Sequence, residues 1–394
     1  MLRQKVKRES AARLSNRPLQ GSRRDRKLAR APRDATSFAP MIKYIGSKRR
    51  LVPRIVALVS AIPGTRSVLD LFTGTTRVAQ GLKAAGFIVT ANDLARYSGV
   101  LAEAYIATDA SSLPSARIAS LLAHLDALPG VRGYVTRTFC EESRYFQPAN
   151  GERVDAIRAG IDALGLTGSE RAVVLTALLE AADRVDSTTG LQMAYLKQWA
   201  PRSHRPLALR TPVLLTGAGR AHCEDARDCV RRDETYDVAY LDPPYNQHSY
   251  FSNYHIWETI VRGDAPEAYG IARKRVDCRT TKSVFNRRAD AWSALRAVVL
   301  GVRARHVVLS FSNEGFFTDV AISALLAERF DEVAVVPVDS PRYVGARIGI
   351  HNPLGERVGV VSHVRNTELL FVAGPDAAAI VTRAGADEAI GATA

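Results

Sequence analysis

The sequence predicts an α/β protein, a mixed sheet interleaved with helices and interrupted by a mainly helical lobe. Three observations lead there. A strand, a glycine turn and a helix follow one another from Ser67 to Ala79. An apolar strand, Val238 to Leu241, stops abruptly at Asp242-Pro243-Pro244-Tyr245. Between them, residues 105–210 lose the alternation of strand and helix.

At 394 residues with 46% hydrophobic content, the chain allows one large domain with an inserted lobe, or two domains. The net charge of +14 calls for a polyanionic partner. Twelve Lys/Arg against three Asp/Glu fall within residues 1–36, so much of the excess sits there. That stretch reads as a disordered arm adding nucleic-acid affinity without sequence choice, as a leader with no such role, or as an Arg-rich transit peptide. Met41-Ile42-Lys43-Tyr44 resembles a natural beginning. No apolar run reaches the length of a membrane span; the nearest, Ala172 to Ala182, is broken by Glu180. Cys140, Cys223, Cys229 and Cys278 form no CxxC pair. Reduced thiols in the cytoplasm, with neither a disulfide framework nor a metal site, are therefore expected.

Lys43-Tyr44-Ile45-Gly46-Ser47-Lys48 reads as a turn feeding a helix, where free N–H groups and Lys48 can meet a carboxylate. Ser67 to Asp70 is the first strand and Phe72-Thr73-Gly74 its turn. Lacking GxGxxG spacing, the turn is a poor pyrophosphate cradle. Asp70, Phe72 and Gly74 better suit a zwitterionic amino-acid tail, whose ammonium needs a carboxylate or carbonyls. The second strand, Phe87 to Asp93, ends in an acid placed for both hydroxyls of a ribose, or for capping the next helix. These features describe S-adenosyl-L-methionine better than a dinucleotide.

Helices are expected over Ser115–Ala127, Arg153–Leu164 and Ser169–Arg184. Around them Arg144, Lys197, Trp199, Arg202 and Arg205 mix cations with aromatics. Such a mixture suits phosphate contacts with base stacking, or is a solvated basic face over ordinary core. The sheet is expected to resume at Val213–Thr216. Asp225 stands where a cofactor's adenine amino group could find an acceptor, or as a helix N-cap.

At Asp242-Pro243-Pro244-Tyr245, two prolines fix φ and remove two donors, so a stiff loop follows the strand. It presents a carboxylate, carbonyls without competing donors and an aromatic ring at a strand's carboxyl end, where open α/β sheets bind ligands. An exocyclic amino group on a flat ring fits there; a plain Pro-Pro turn is the other reading. A long loop over residues 263–290 carries Arg273, Lys274, Arg275 and Lys282, placed to follow a nucleic-acid backbone. Strands are expected at His306–Asn313, Glu332–Val338, Arg342–Ile348 and Asn366–Ala373. Tyr343–Arg357 suggests a hairpin able to enter a groove, and the tail after Asp376 is expected to be weakly ordered.

Several stretches taken in order carry a resemblance. They are Tyr44-Ile45-Gly46-Ser47-Lys48, Asp70-Leu71-Phe72-Thr73-Gly74, Asn92-Asp93, Arg144-Tyr145-Phe146, Asp155-Ala156-Ile157-Arg158 and Ala194-Tyr195-Leu196-Lys197. Asp242-Pro243-Pro244-Tyr245-Asn246, Ser252-Asn253-Tyr254-His255, Ser310 to Gly315 and Asn366 to Phe371 complete the set. Over residues 41–374 the chain resembles the D12 class of adenine-specific DNA methyltransferases. The resemblance implies a Rossmann-like, seven-stranded mixed sheet in a catalytic domain of residues 41–104 and 211–374. It implies a target-recognition lobe at 105–210, while the arm at 1–40 and the tail at 375–394 lie outside the resemblance. S-adenosyl-L-methionine is then expected at Tyr44, Lys48, Asp93 and Asp242, and the activity is methyl transfer to N6 of an adenine flipped from double-stranded DNA. Asp242 and the Pro243 carbonyl would accept the amine's two hydrogens, and Tyr245 would stack on the base. One departure is Thr73-Gly74-Thr75-Thr76, which lacks the usual second small residue and leaves the contacts to the methionine part open. An RNA adenine-N6 methyltransferase and a catalytically silent DNA-binding homologue are the other readings. A cognate restriction endonuclease as functional partner is left open.

Overall fold

The computed structural model describes residues 42–46, 48–341, 350–351, 357–359 and 365–391. Seven strands form one sheet: β1 (Ser67–Asp70), β2 (Ile88–Asn92), β3 (Gly219–His222), β4 (Tyr236–Leu241), β5 (Ala304–Ser312), β6 (Val333–Pro341) and β7 (Arg365–Ala373). Their spatial order is β3-β2-β1-β4-β5-β7-β6, with β7 antiparallel to both neighbours and the remaining pairs parallel. This is the Rossmann-like mixed sheet that the sequence predicts.

Strands paired on both edges and covered on both faces are continuously apolar. Val68 and Leu69 of β1, and Val238 to Leu241 of β4, are accordingly buried. The strand order reverses between β1 and β4. There Asp70 pairs with Tyr240, so the turns after both strands open at one sheet edge. That crevice is where such sheets bind ligands.

Four helices share one core on one face of the sheet: α1 (Val52–Ser60), α2 (Arg77–Ala84), α3 (Arg96–Ala102) and, near the C-terminus, α10 (Ala377–Gly391). The expected loose tail at 375–394 is corrected by α10. Ala377, Ile380 and Ala384 recur on one face, are fully buried, and let the helix pack on α1 and β6.

The lobe carries α4 (Ser115–Asp126), α5 (Pro148–Ala163) and α6 (Gly168–Val185). It has no core of its own. α6 buries Val173, Val174, Leu178 and Leu179, and packs on α3 and on the π-type turn Glu103–Ala107 that prolongs it. Two motif residues hold the lobe in place. Asp155 accepts from the backbone N–H groups of Gly133, Val135 and Thr136, at 2.8–3.0 Å, satisfying the open end of the next helical turn. Arg158 donates to the carbonyls of Ile260 (2.7 Å) and Val261 (3.3 Å), the last turn of α7 (His255–Arg262).

The third strand is not at Val213–Thr216, where Val213 is 64% exposed and no ladder forms. It is Gly219–His222, a polar edge strand covered by the π-type turn. A Cβ at Gly219 would lie 2.3 Å from the Ile106 carbonyl, so only glycine lets the two backbones meet. Arg342–Ile348, most of the 343–357 hairpin and the arm at 1–40 lie outside the described residues. Ile350–His351 and Arg357–Gly359 pair antiparallel. α8 (Arg288–Gly301) and α9 (Asp319–Ala327) complete the opposite layer.

Candidate active site

The crevice beyond β1 and β4 is a cleft of about 1120 Å³, its open mouth included. It is lined by Tyr44, Lys48, Asp70, Phe72, Gly74, Asp93, Asp225, Asp242, Pro243, Pro244 and Tyr245, so the turn, both acids and the proline loop share one space. Every cofactor and catalytic residue expected from the sequence thus meets there, from segments as far apart along the chain as Tyr44 and Tyr245.

The proline loop leaves β4 with Asp242 beside Lys48: Lys48 Nζ lies 3.2 Å from Asp242 Oδ1 and 3.0 Å from Glu368 Oε1. Burial pushes the Asp242 carboxyl up to about 6, opposed by Lys48 and reinforced by Glu368. Burial works against the Lys48 charge too, yet the two carboxylates hold its pKa well above the ordinary lysine value. Lys48 also stands 5.8 Å from the centre of the Tyr245 ring, whose edge packs on Phe311.

On the other side of the cleft, Asp70 accepts from Thr73 Oγ1 (3.0 Å) and the Ala79 N–H (3.1 Å) through one oxygen. Its second oxygen is buried without a hydrogen-bond partner. Burial, with smaller contributions from Asp242 and Asp93, raises this carboxyl to about 7 despite those two bonds. Asp93 receives the Gly74 N–H (2.9 Å) and the Ala95 N–H (3.0 Å), which orient it across the glycine turn. Gly74 has φ +52°, and a Cβ there would lie 3.2 Å from the Tyr44 ring. Thr76 also sits at φ 62°, a strained place for a β-branched residue. Its hydroxyl accepts from Gln80 (2.8 Å), and the residue is fully buried where a second small residue was expected. Asp225 is an N-cap, accepting from the Arg227 N–H at 2.9 Å, and it lines the cleft as well.

Five contributors were missed: Tyr250, Tyr254, Phe285, Asn286 and Glu368. Tyr44 stacks on Tyr254 (4.5 Å) and Tyr250 (5.3 Å), making an aromatic wall. Phe285 meets the Phe72 ring edge-on, and Asn286 donates to the carbonyls of Asn246 and His248, tying the basic loop to the proline loop. Glu368 had a signal: it is a charged residue two positions before the buried Leu370 on the same strand face.

The expected nucleic-acid contacts divide. Arg275 is corrected, because its guanidinium is buried and bonded to Asp264 (2.7 and 2.8 Å) and Asp277 (2.9 and 3.0 Å). Arg202 is likewise taken up by Asp186 at 2.7 Å. Arg273 pairs with Glu142 at 3.0 Å. Arg144 donates to the Lys197 carbonyl and lies 4.7 Å over the Trp199 ring. Lys197, Arg205 and Lys282 are exposed and Lys274 half-buried. Among the described residues no helix is long and apolar enough to cross a membrane.

The D12 class N6 adenine-specific DNA methyltransferase family matches residues 44–292, more than half of the chain. The chain belongs to this family. It is 32% identical to the modification methylase StsI of Streptococcus sanguinis over 73% of this chain and 46% of that protein. It is 28% identical to the type II methyltransferase M.NlaIII of Neisseria lactamica, over 77% and 92%. For M.FokI of Planomicrobium okeanokoites the identity is 29%, over 72% and 46%. The chain therefore spans about half the length of two of these relatives and nearly all of the third. Enzymes of this family draw their methyl group from S-adenosyl-L-methionine. The cleft fits such a molecule: the orphaned Asp70 oxygen suits a cation, and the missing Cβ at Gly74 leaves a cradle beside Tyr44.

Proposed function

We propose that this chain transfers a methyl group to N6 of an adenine extruded from double-stranded DNA, at sites chosen by sequence. The observation that carries the reading is the Asp242-to-Tyr245 loop, at a strand's carboxyl end, in the same cleft as the glycine turn and the acid after β2. When bound, S-adenosyl-L-methionine supplies an electrophilic methyl group. Asp93 would hold the ribose hydroxyls, Asp70 with the Phe72–Gly74 turn the amino-acid tail, and Asp225 the adenine amino group, with Tyr44 as an aromatic wall.

Adenine N6 is a poor nucleophile because its lone pair is delocalised into the ring. Asp242 and the Pro243 carbonyl accept its two hydrogens, which fixes the amine and favours tetrahedral character at nitrogen. Lys48 keeps the Asp242 carboxylate oriented, and Tyr245 stacks on the flipped base. Arg144 with Trp199, Lys197, Arg205, Lys274 and Lys282 remain as the contacts to the nucleic acid. A restriction endonuclease sharing the recognition sequence would be the functional partner.

The test is transfer of labelled methyl from S-adenosyl-L-methionine to duplex DNA, single-stranded DNA and ribosomal RNA, followed by base analysis. Duplex DNA should accept label as N6-methyladenine, and Asp242→Asn should lower the rate by at least about 10²-fold. Preference for RNA, label on cytosine, or an active Asp242→Asn would refute the reading.

A further inference from the structure

One buried charge in the site has no role in that scheme. Glu368, on β7, pairs with Lys48 at 3.0 Å as Asp242 does at 3.2 Å, and its second oxygen is buried without a hydrogen-bond partner. The three side chains are 6%, 12% and 18% exposed for Lys48, Glu368 and Asp242, so solvent screens them little. Lys48 with Asp242 alone would be a neutral pair. Glu368 makes the cluster carry one surplus negative charge.

The groups facing this cluster do not cancel that surplus. From β1 comes Asp70, a further carboxyl, and Asp93 follows β2. Tyr240, Tyr245 and Tyr250 face the cluster with hydroxyls that burial keeps protonated. From α2, Arg77 lines the same cleft, and its electrostatic neighbours are Arg49, Tyr105 and Glu180.

The proposed reaction moves charge. As the amine's lone pair forms the new N–C bond, the S–C bonding pair stays on sulfur. The positive charge passes to nitrogen, and the N6 proton then leaves to Asp242 and on to solvent. The methyl donor arrives as a sulfonium cation and its product leaves with a neutral thioether.

We propose that Glu368 is a positioning residue which shares Lys48 with Asp242 and gives the cleft the surplus negative charge that holds the cationic donor and releases the neutral product. This rests on the proposed function. The raised pKa of Asp242, which burial causes first and Glu368 adds to, is in keeping with it.

The test titrates the full chain and Glu368→Gln, by calorimetry, with two probes. Sinefungin carries an amine where the donor has its charged centre, and S-adenosyl-L-homocysteine is neutral there. Glu368→Gln should weaken sinefungin about tenfold, or ~1.4 kcal/mol, and leave S-adenosyl-L-homocysteine within about twofold. Glu368→Asp should recover most of the difference. Equal weakening of both probes, or an unchanged ratio, overturns the proposal. If Glu368→Gln does not fold, the ratio is measured on the unaltered chain from pH 8 to pH 5. The preference for sinefungin should shrink as Asp242, raised to about 6, takes up a proton and the surplus charge is lost, and a flat ratio overturns the proposal. Failure of either probe to bind at all would sink the proposed function as well; binding of both with an unaltered ratio would sink only the role of Glu368.

Discussion

Asp70→Asn should make the protein more stable and less able to bind its cofactor. Asp70 is buried, one of its oxygens has no partner, and its carboxyl is raised from 3.8 to about 7. Because the folded value exceeds the unfolded one, folding takes up a proton. The associated stability is full below about pH 3.8 and is lost as pH rises toward 7. At pH 8 the ionised carboxylate therefore costs on the order of 4 kcal/mol, taking ~1.36 kcal/mol per unit over about three units. Asparagine keeps an acceptor for Thr73 and Ala79 but leaves an amide donor facing the cleft. It should thus recover only part of the cost, about 1–2 kcal/mol. In a chain of this size that is a rise in Tm of roughly 1–2 °C. Thermal melts of ligand-free protein at pH 4, 6 and 8 should show the two forms converging at the acid end. Sinefungin, which brings an ammonium to the tail site, should raise the Tm of the unaltered chain more than that of the variant. A variant less stable at pH 8, or a difference that does not change with pH, would refute the argument.

Other outcomes follow from the same geometry. The acid side of the kcat/KM profile should follow Asp242, with activity halved at about pH 6 and near one tenth at about pH 5; a limb centred near 4 would place the controlling carboxylate elsewhere. Gly74→Ala should cost about 1–2 kcal/mol for its left-handed backbone and should crowd Tyr44. Sinefungin affinity should fall with it, and an unaltered affinity would mean the turn lies outside the binding site. Lys282→Ala should leave Tm unchanged and reduce the slope of log affinity for DNA against log salt by about one. Arg275→Ala should instead lower stability by roughly 2–3 kcal/mol, because Asp264 and Asp277 lose their shared cation. Calorimetric melts and salt titrations of the two variants distinguish a structural cation from a phosphate contact.

Local chemistry was enough to read the central strands and their turns. Val238–Leu241 is apolar because it is covered on both faces, and Pro243-Pro244 stops it through bonds within the loop itself. Asp70, Gly74, Asp93 and Asp242 were recognisable for the same reason, since each ends or turns a strand. The edge of the sheet was not recognisable. Gly219–His222 is polar, and it becomes a strand only because β2 offers a partner and Gly219 clears the Ile106 carbonyl. Similarly, α10 has small residues with little pattern of their own and is held by the surface of α1 and β6.

Charges divide in the same way. That residues 263–290 are rich in Arg and Lys is plain from the sequence, but which of them meet water depended on where Asp264, Asp277 and Glu142 come to lie. The sequence by itself determined the strand–turn–helix units and the chemical groups at their ends, because those depend on neighbours a few positions away. Only the tertiary structure decided that Glu368 faces Lys48 across 320 positions and that Arg275 turns inward, because a buried charge is set by partners the chain brings from afar.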